Sequence, residues 1–201
     1  MCGRVYMAPA NPELRELVKE MNRSGLTELF RKEKNEQIRA EGEIVPTSVV
    51  PVIALNRRHK QCVFPMQWGF RMPNGLLINA RAETAAEKPA FRESWQKHRC
   101  VIPASWYFEW EHSEKNRIGC KYALKPDTSD LIWLAGLYRM ENGIPAFVIL
   151  TRKAAEDLSW MHDRMPVMLP EQSISQWINP EGRPEELIQN CLTKVVWQRA
   201  V

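Results

Sequence analysis

The sequence predicts an α+β fold with a strand-rich centre flanked by helices, on three observations. From Val49 onward, short β-branched and aromatic stretches recur, separated by turn residues such as Pro73-Asn74-Gly75 and Glu141-Asn142-Gly143. Proline-marked helix starts lie both before and after these stretches. The strands and helices do not alternate as a doubly wound parallel sheet requires.

Taken in order, Asn11-Pro12 supplies an N-cap and a first-turn proline, and Leu14, Leu17, Val18 and Met21 follow at helical spacing to form one apolar face. Residues 31–43 are rich in charge and are expected to continue a helix face or form a surface loop. Strands are expected at VVPVIAL (49–55), 62–70, LLINA (76–80), RCVIPASWYFEWE (99–111), CKYALK (120–125), LIWLAGLYRM (131–140) and AFVILT (146–151). Proline-initiated helices are expected at 89–98, 170–178 and 184–192. With no repeat, low-complexity linker or compositional shift, one compact domain over residues 1–201 is the expectation.

The 201 residues are 44% hydrophobic and 26% charged, which excludes collagen-like, disordered and disulfide-scaffold classes. No apolar run reaches the length of about 18 residues that a membrane helix needs. The amino-terminal segment lacks the apolar core of a secretory signal and the glycine that myristoylation requires. A cytoplasmic protein is expected, nucleoid-associated if bacterial. The net charge of +4 admits a polyanionic partner without requiring one. Five widely spaced cysteines with no C-x-x-C pair argue against a disulfide framework and a zinc knuckle. Dinucleotide, P-loop, zincin and hydrolase fingerprints are missing, and no metal or organic cofactor is implied.

Candidate chemistry begins at Cys2. If Met1 is removed, the chain starts with an amine and a thiol on adjacent carbons. An α-amine has a reference pKa of about 7.7 to 8.0 against about 10.4 for lysine, so it is the better nucleophile near neutral pH. It can attack an aldehyde to give an imine, and the thiol can close on the imine carbon to give a thiazolidine. The same terminus could equally attack an amide or ester. In residues 106–111, alternation puts Trp106, Phe108 and Trp110 on one strand face, expected to be core-like. Tyr107, Glu109 and Glu111 fall on the other, where Glu109 could shuttle protons if its pKa is raised. MHDRMPVML (161–169) offers His162 for proton transfer or a phosphate contact, followed by an apolar strand. INARAET (78–84) presents Asn79, Arg81 and Glu83 on one face, Arg81 being a natural phosphate fork.

In combination and in order, MCGR (1–4), IVPTS (44–48), WGF (68–70), INARAET, RCVIPASWYFEW and MHDRMPVML resemble the SOS-response-associated peptidase (SRAP) family over about three quarters of the chain. The resemblance implies a mostly antiparallel, barrel-like sheet flanked by helices and a positively charged groove ending at Cys2. It implies crosslinking of abasic sites in single-stranded DNA; a monomer is expected because the sequence gives no sign of oligomerisation. By position, Cys2 matches the family's covalent residue, Asn79 the Asn that positions the terminal amine, Glu109 the acid/base, and His162 the histidine near the imine and phosphate. Arg4 and Arg81 match phosphate contacts, Pro46 and Trp68 residues that shape the channel and stack near the lesion, and Thr151 a site-lining polar residue. Three departures stand out: Ser105-Trp106 where many relatives have Asp-Gly, Glu43 where Asn is common, and an end at WQRAV where relatives often continue. Two other readings compete: a thiol peptidase using the same terminus, and a non-covalent single-strand binding module.

Overall fold

The computed structural model describes residues 2–34, 38, 40–111 and 119–200. The elements in chain order are β1 (Arg4–Met7), α1 (Pro12–Asn22), α2 (Gly25–Lys34), β2 (Gly42–Ile44), β3 (Val49–Leu55), β4 (Gln61–Trp68), β5 (Phe70–Met72), β6 (Gly75–Leu77) and β7 (Asn79–Arg81). Next come α3 (Ala82–Ala85), α4 (Arg92–Lys97), β8 (Arg99–Ala104), β9 (Trp106–Trp110), β10 (Lys121–Pro126), β11 (Ile132–Glu141) and β12 (Ile144–Lys153). The chain ends with β13 (Arg164–Pro166), β14 (Met168–Leu169), α5 (Ile174–Ile178), α6 (Pro184–Gln189) and β15 (Val195–Arg199).

Five strands close on themselves in the order β12-β4-β3-β8-β11, with β11 pairing back to β12. Every pairing in this ring is antiparallel except β12 with β4, where Phe147 lies beside Trp68. Closure removes the unpaired edges that an open sheet would expose. On the barrel flank, β7 runs parallel to β12 with Asn79 opposite Ile149 and Arg81 opposite Thr151. A second sheet, β15-β10-β9-β1-β2, is antiparallel throughout.

Asn11 caps α1 as its side chain predicts, Oδ1 accepting from the Leu14 N–H at 3.0 Å, and the helix buries Leu14 and Met21. The charged stretch at 31–43 is helical to Lys34; positions 35–37 and 39 lie outside the described residues. The predicted strand over 62–70 breaks at Gly69, which has φ +113° and whose N–H donates to the Phe147 carbonyl at 2.7 Å. A Cβ there would come within 2.7 Å of the Leu76 side chain, so glycine is required. The long predicted strand over 99–111 is two strands. At Ser105 the chain leaves the barrel for the second sheet, Ser105 N–H donating to Tyr6 at 2.7 Å and its Oγ accepting from Ala8 N–H at 3.0 Å. The proline-initiated helices form but are shorter than predicted, α4 starting only at Arg92 and α5 following a 3-10 turn over Glu171–Ser173.

The faces of β9 depart from the expectation: Phe108 is buried as expected, but the deeper face is the opposite one. Tyr107 and Glu109 are 1% and 4% exposed and face the packed interior, whereas Trp106 and Trp110 are half-buried. The physical reason lies on the outer face, where cations cover the aromatic rings. Lys121 Nζ sits 4.0 Å from the Phe108 centroid, Lys125 Nζ 5.1 Å from that of Trp106, and the Arg4 guanidinium 5.7 Å from that of Trp110. No helix among the described residues is long and apolar enough to cross a membrane.

Candidate active site

Strand β1 is held between β2 and β9, with Val5 opposite Tyr107 and Arg4 opposite Phe108. This pairing delivers Cys2, two residues before β1, to the interior beside Glu109. Cys2 is 0% exposed, and its carbonyl accepts from Asn79 Nδ2 at 2.8 Å. Asn79 opens β7, whose pairing to β12 fixes it against the barrel. Its Oδ1 is buried with no hydrogen-bond partner among the described residues, an acceptor left unsatisfied next to Cys2.

The groups around Cys2 perturb one another as close neighbours in a dry site do. Burial pushes the Cys2 thiol well above its ordinary range; the Glu109 charge adds to this, and the Arg4 N–H opposes it. Burial likewise raises the Glu109 carboxyl above the usual carboxylate range; the Trp110 N–H opposes the rise, and Asp163 reinforces it. Tyr107 is raised by burial and then by the charges of Cys2, Glu109 and Asp157.

His162 lies in the loop before β13 and is half-buried. Its Nδ1 accepts from the Arg164 N–H at 3.0 Å and lies 2.7 Å from the Asp163 carboxylate. Glu109, Tyr107, Leu124, Met161 and His162 line one small pocket of about 10 Å³, room for a single water. The structure therefore gathers Cys2, Asn79, Glu109 and His162 into one locus. Among the described residues, no group of three or more His, Cys, Asp or Glu side chains is placed to hold a metal ion.

The remaining predicted residues surround this locus at different depths. Arg81 is exposed at the end of β7. Thr151 is 1% exposed; its hydroxyl lies 3.5 Å from the Ala80 carbonyl, and its own carbonyl accepts from Arg164 Nη2 at 2.7 Å. Arg164 also forms a two-pronged pair with Glu83, both bonds 2.8 Å. Arg4 pairs with Glu43, whose second oxygen accepts from Lys121 Nζ at 2.6 Å. The departure at position 43 thus places an acid between two cations. Pro46 is half-buried in the turn 45–48, whose Thr47 has φ +75°.

Trp68 corrects the expectation of a stacking face. It is 0% exposed, stacks on Phe147 at 6.1 Å and 12°, and donates from Nε1 to the Ile78 carbonyl at 2.9 Å. Its backbone binds the Pro46 turn on both sides, accepting from Thr47 N–H at 2.8 Å and donating to Ser48 at 2.9 Å. Trp68 supports the turn from beneath. Sequence reasoning missed Tyr107, Lys121 and Arg164 as parts of this neighbourhood. The alternation in β9 did group Tyr107 with Glu109, but the core was expected on the other face.

The family model described as SOS response associated peptidase (SRAP) matches residues 1–200. The chain belongs to that family. The abasic site processing protein YobE of Bacillus subtilis is 33% identical to it over 175 residues, covering 78% of this chain and 79% of YobE. Abasic site processing protein YoqW of the same organism is 34% identical over 175 residues, covering 78% of this chain and 77% of YoqW. The fold matches a crystal structure from Bacteroides thetaiotaomicron with TM-score 0.72 and 23% identity, covering 100% of this chain and 92% of that one. A phage-related protein from Bordetella bronchiseptica matches with TM-score 0.74 and 21% identity, covering 99% and 94% of the two chains. The fold of this SRAP chain is thus a closed barrel with a second sheet that presents the chain's first residues to its interior.

Proposed function

We propose that this SRAP chain processes abasic sites, forming a covalent thiazolidine link to single-stranded DNA through Cys2 once Met1 is removed; Met1 itself lies outside the described residues. The observation that carries this reading is the pinning of Cys2 by Asn79 beside a buried, raised carboxyl at Glu109. The relatives named as abasic site processing proteins support the same substrate.

In this mechanism the Cys2 amine attacks the C1′ aldehyde of the ring-opened sugar to give a carbinolamine. Protonated Glu109 gives its proton to the hydroxyl, which leaves as water, and an iminium remains. The Cys2 sulfur then bonds to the iminium carbon, and the thiol proton returns to the Glu109 carboxylate. One water is lost overall and Glu109 ends as it began. The raised carboxyl suits this cycle because a group that both gives and takes a proton works best with its pKa near the working pH. A buried neutral thiol is held back from competing reactions until the iminium forms. In this reading Asn79 Oδ1 accepts from the amine, His162 contacts the sugar or its phosphate, and Arg4 and Arg81 bind phosphates beyond them.

Intact-protein mass spectrometry after incubation with a single-stranded oligonucleotide carrying one abasic site tests the proposal. The expected adduct has the combined mass less one water, depends on the lesion and is lost in Cys2→Ala, which retains only a transient imine and some strand cleavage by β-elimination. A folded protein with Met1 removed that gives no adduct would overturn the reading.

A further inference from the structure

The face of the second sheet that carries Glu109 does not end at the buried site. Opposed residues of an antiparallel pair share a face. Glu109 on β9 is opposite Tyr122 on β10, which is opposite Arg199 on β15. Two residues along the strands, on the same face, Tyr107, Leu124 and Trp197 form a parallel row. Both rows start in the interior and run outward to the sheet's last strand, about 10 Å from Glu109 at the usual strand spacing. The outer end is aromatic. The rings of Tyr122, Trp160 and Trp197 meet edge to face at 5.3, 5.4 and 5.5 Å, with Trp160 supplied by the loop that carries His162. Trp160 is 41% and Trp197 49% exposed, while the other large exposed apolar side chains among the described residues are aliphatic or thioether.

Building on the abasic-site reading above, we infer that Tyr122, Trp160 and Trp197, with Arg199 at their edge, are a stacking platform for the nucleobase next to the reacting sugar. Three observations favour a base as occupant. The rings brace one another, so open aromatic surface is held in place without loss of side-chain freedom on binding. Every base has a π-face, so stacking asks for no particular sequence beside a lesion that can arise anywhere. Arg199, exposed and in register with Tyr122 and Glu109, adds a cation where the strand's phosphate would pass. The platform is continuous with the site, whereas the cation-covered rings on the opposite face of β9 are already engaged.

The test compares wild type with Trp160→Ala, Trp197→Ala and Arg199→Gln on three oligonucleotides whose single abasic site lies at the centre, the 5′ end or the 3′ end. The readout is the second-order rate of adduct formation at limiting oligonucleotide. Each Trp variant is expected to react about ten-fold more slowly with the central lesion and with the one end-lesion strand that keeps a base over the platform. The other end-lesion strand should react at the wild-type rate, and Trp197→Phe should restore most of the loss. Arg199→Gln should make the salt dependence shallower by about 0.7 in log–log slope, leaving that of the Trp variants unchanged. Equal rates for wild type and both Trp variants, or an equal drop on all three strands, would overturn the platform. If wild type forms no adduct, the abasic-site reading fails on its own; the platform then stands only if the Trp variants bind an undamaged strand about ten-fold more weakly.

Discussion

Asn79 donates from Nδ2 to the Cys2 carbonyl at 2.8 Å, tying the first residues of the chain to the start of β7. The two residues are 77 positions apart, and neither β1 nor β7 alone would set the direction of the terminus. The bond holds Cys2 in place, and the other polar atom of the Asn79 side chain, Oδ1, is buried with no hydrogen-bond partner among the described residues.

Replacing Asn79 by Ala removes the donor and leaves a buried carbonyl unsatisfied, which costs about 1–3 kcal/mol. The expected outcome is adduct formation slowed by about ten-fold or more, with a matching drop in stability in urea. Timed gels and equilibrium denaturation check both. An unchanged rate would separate Asn79 from the chemistry.

Glu109 makes stability depend on pH in a definite direction. Its folded pKa is raised above the unfolded value, chiefly by burial. The folded state therefore holds the proton more tightly. The stabilising contribution is complete below the unfolded pKa and is lost as pH rises through the raised folded value. Glu109→Gln, which cannot ionise, should melt higher than wild type at neutral pH and lose this slope. It should also form adduct about a hundred-fold more slowly. Melting curves between pH 4 and 8, in roughly unit steps, show whether the two profiles converge at the acid end as the sign requires.

Trp68 separates support from contact. Truncating a large buried aromatic costs about 3–5 kcal/mol. Trp68→Ala should show that loss in denaturant, whereas a side chain that only stacked on ligand would leave stability nearly untouched. Trp68→Phe, which keeps the stack on Phe147 but not the bond to Ile78, should fall between.

Much of the strand content was legible because β-branched and aromatic runs in this chain are bounded by strong turn residues, as at Asn142-Gly143. The Asn11 cap was legible for the same reason, a local preference that tertiary packing did not override. The breaks at Gly69 and Ser105 were not, because each depends on a contact far away in sequence, Leu76 and Phe147 for the first and Tyr6 and Ala8 for the second. The deeper burial of the Tyr107 and Glu109 face of β9 was missed for a similar reason. Alternation identifies which side chains share a face, but only Lys121, Lys125 and Arg4, arriving from neighbouring strands, make an aromatic row stable on the outside. Of the candidate site, Cys2, Glu109 and His162 were marked by their chemistry and Asn79 by the family resemblance; Tyr107 and Lys121 became visible only through packing.

Arg99 organises the helical end of the molecule. It is 4% exposed and donates to the Trp95 carbonyl at 2.6 Å, to that of Trp177 at 2.7 Å, to that of Gly182 at 3.3 Å and to that of Asn179. These carbonyls close α4 and the chain beyond α5. Lysine has a compact charge and cannot fork to four acceptors. Arg99→Lys should lose about 2–4 kcal/mol in urea denaturation, mostly through carbonyls left unsatisfied. A loss below about 0.5 kcal/mol would mean that water replaces the fork.

Glu43 bridges two cations that a phosphate would otherwise attract. Its carboxylate meets Arg4 through one oxygen and Lys121 through the other, and those contacts hold it below the usual carboxylate range against the opposing effect of partial burial. Because the group is partly exposed, the pairs contribute at most about 1 kcal/mol to stability. Any nucleic-acid phosphate approaching Arg4 must displace the carboxylate or share the cation with it. Glu43→Gln should therefore leave the melting temperature nearly unchanged and tighten single-strand binding about three- to ten-fold at low salt. It should also steepen the salt dependence by about 0.7 in log–log slope for each cation released to a phosphate. Binding isotherms of the Cys2→Ala protein, with and without the second substitution, measure this apart from the covalent step. If the two proteins bind alike at every salt concentration, Arg4 and Lys121 hold the second sheet together and do not contact the strand.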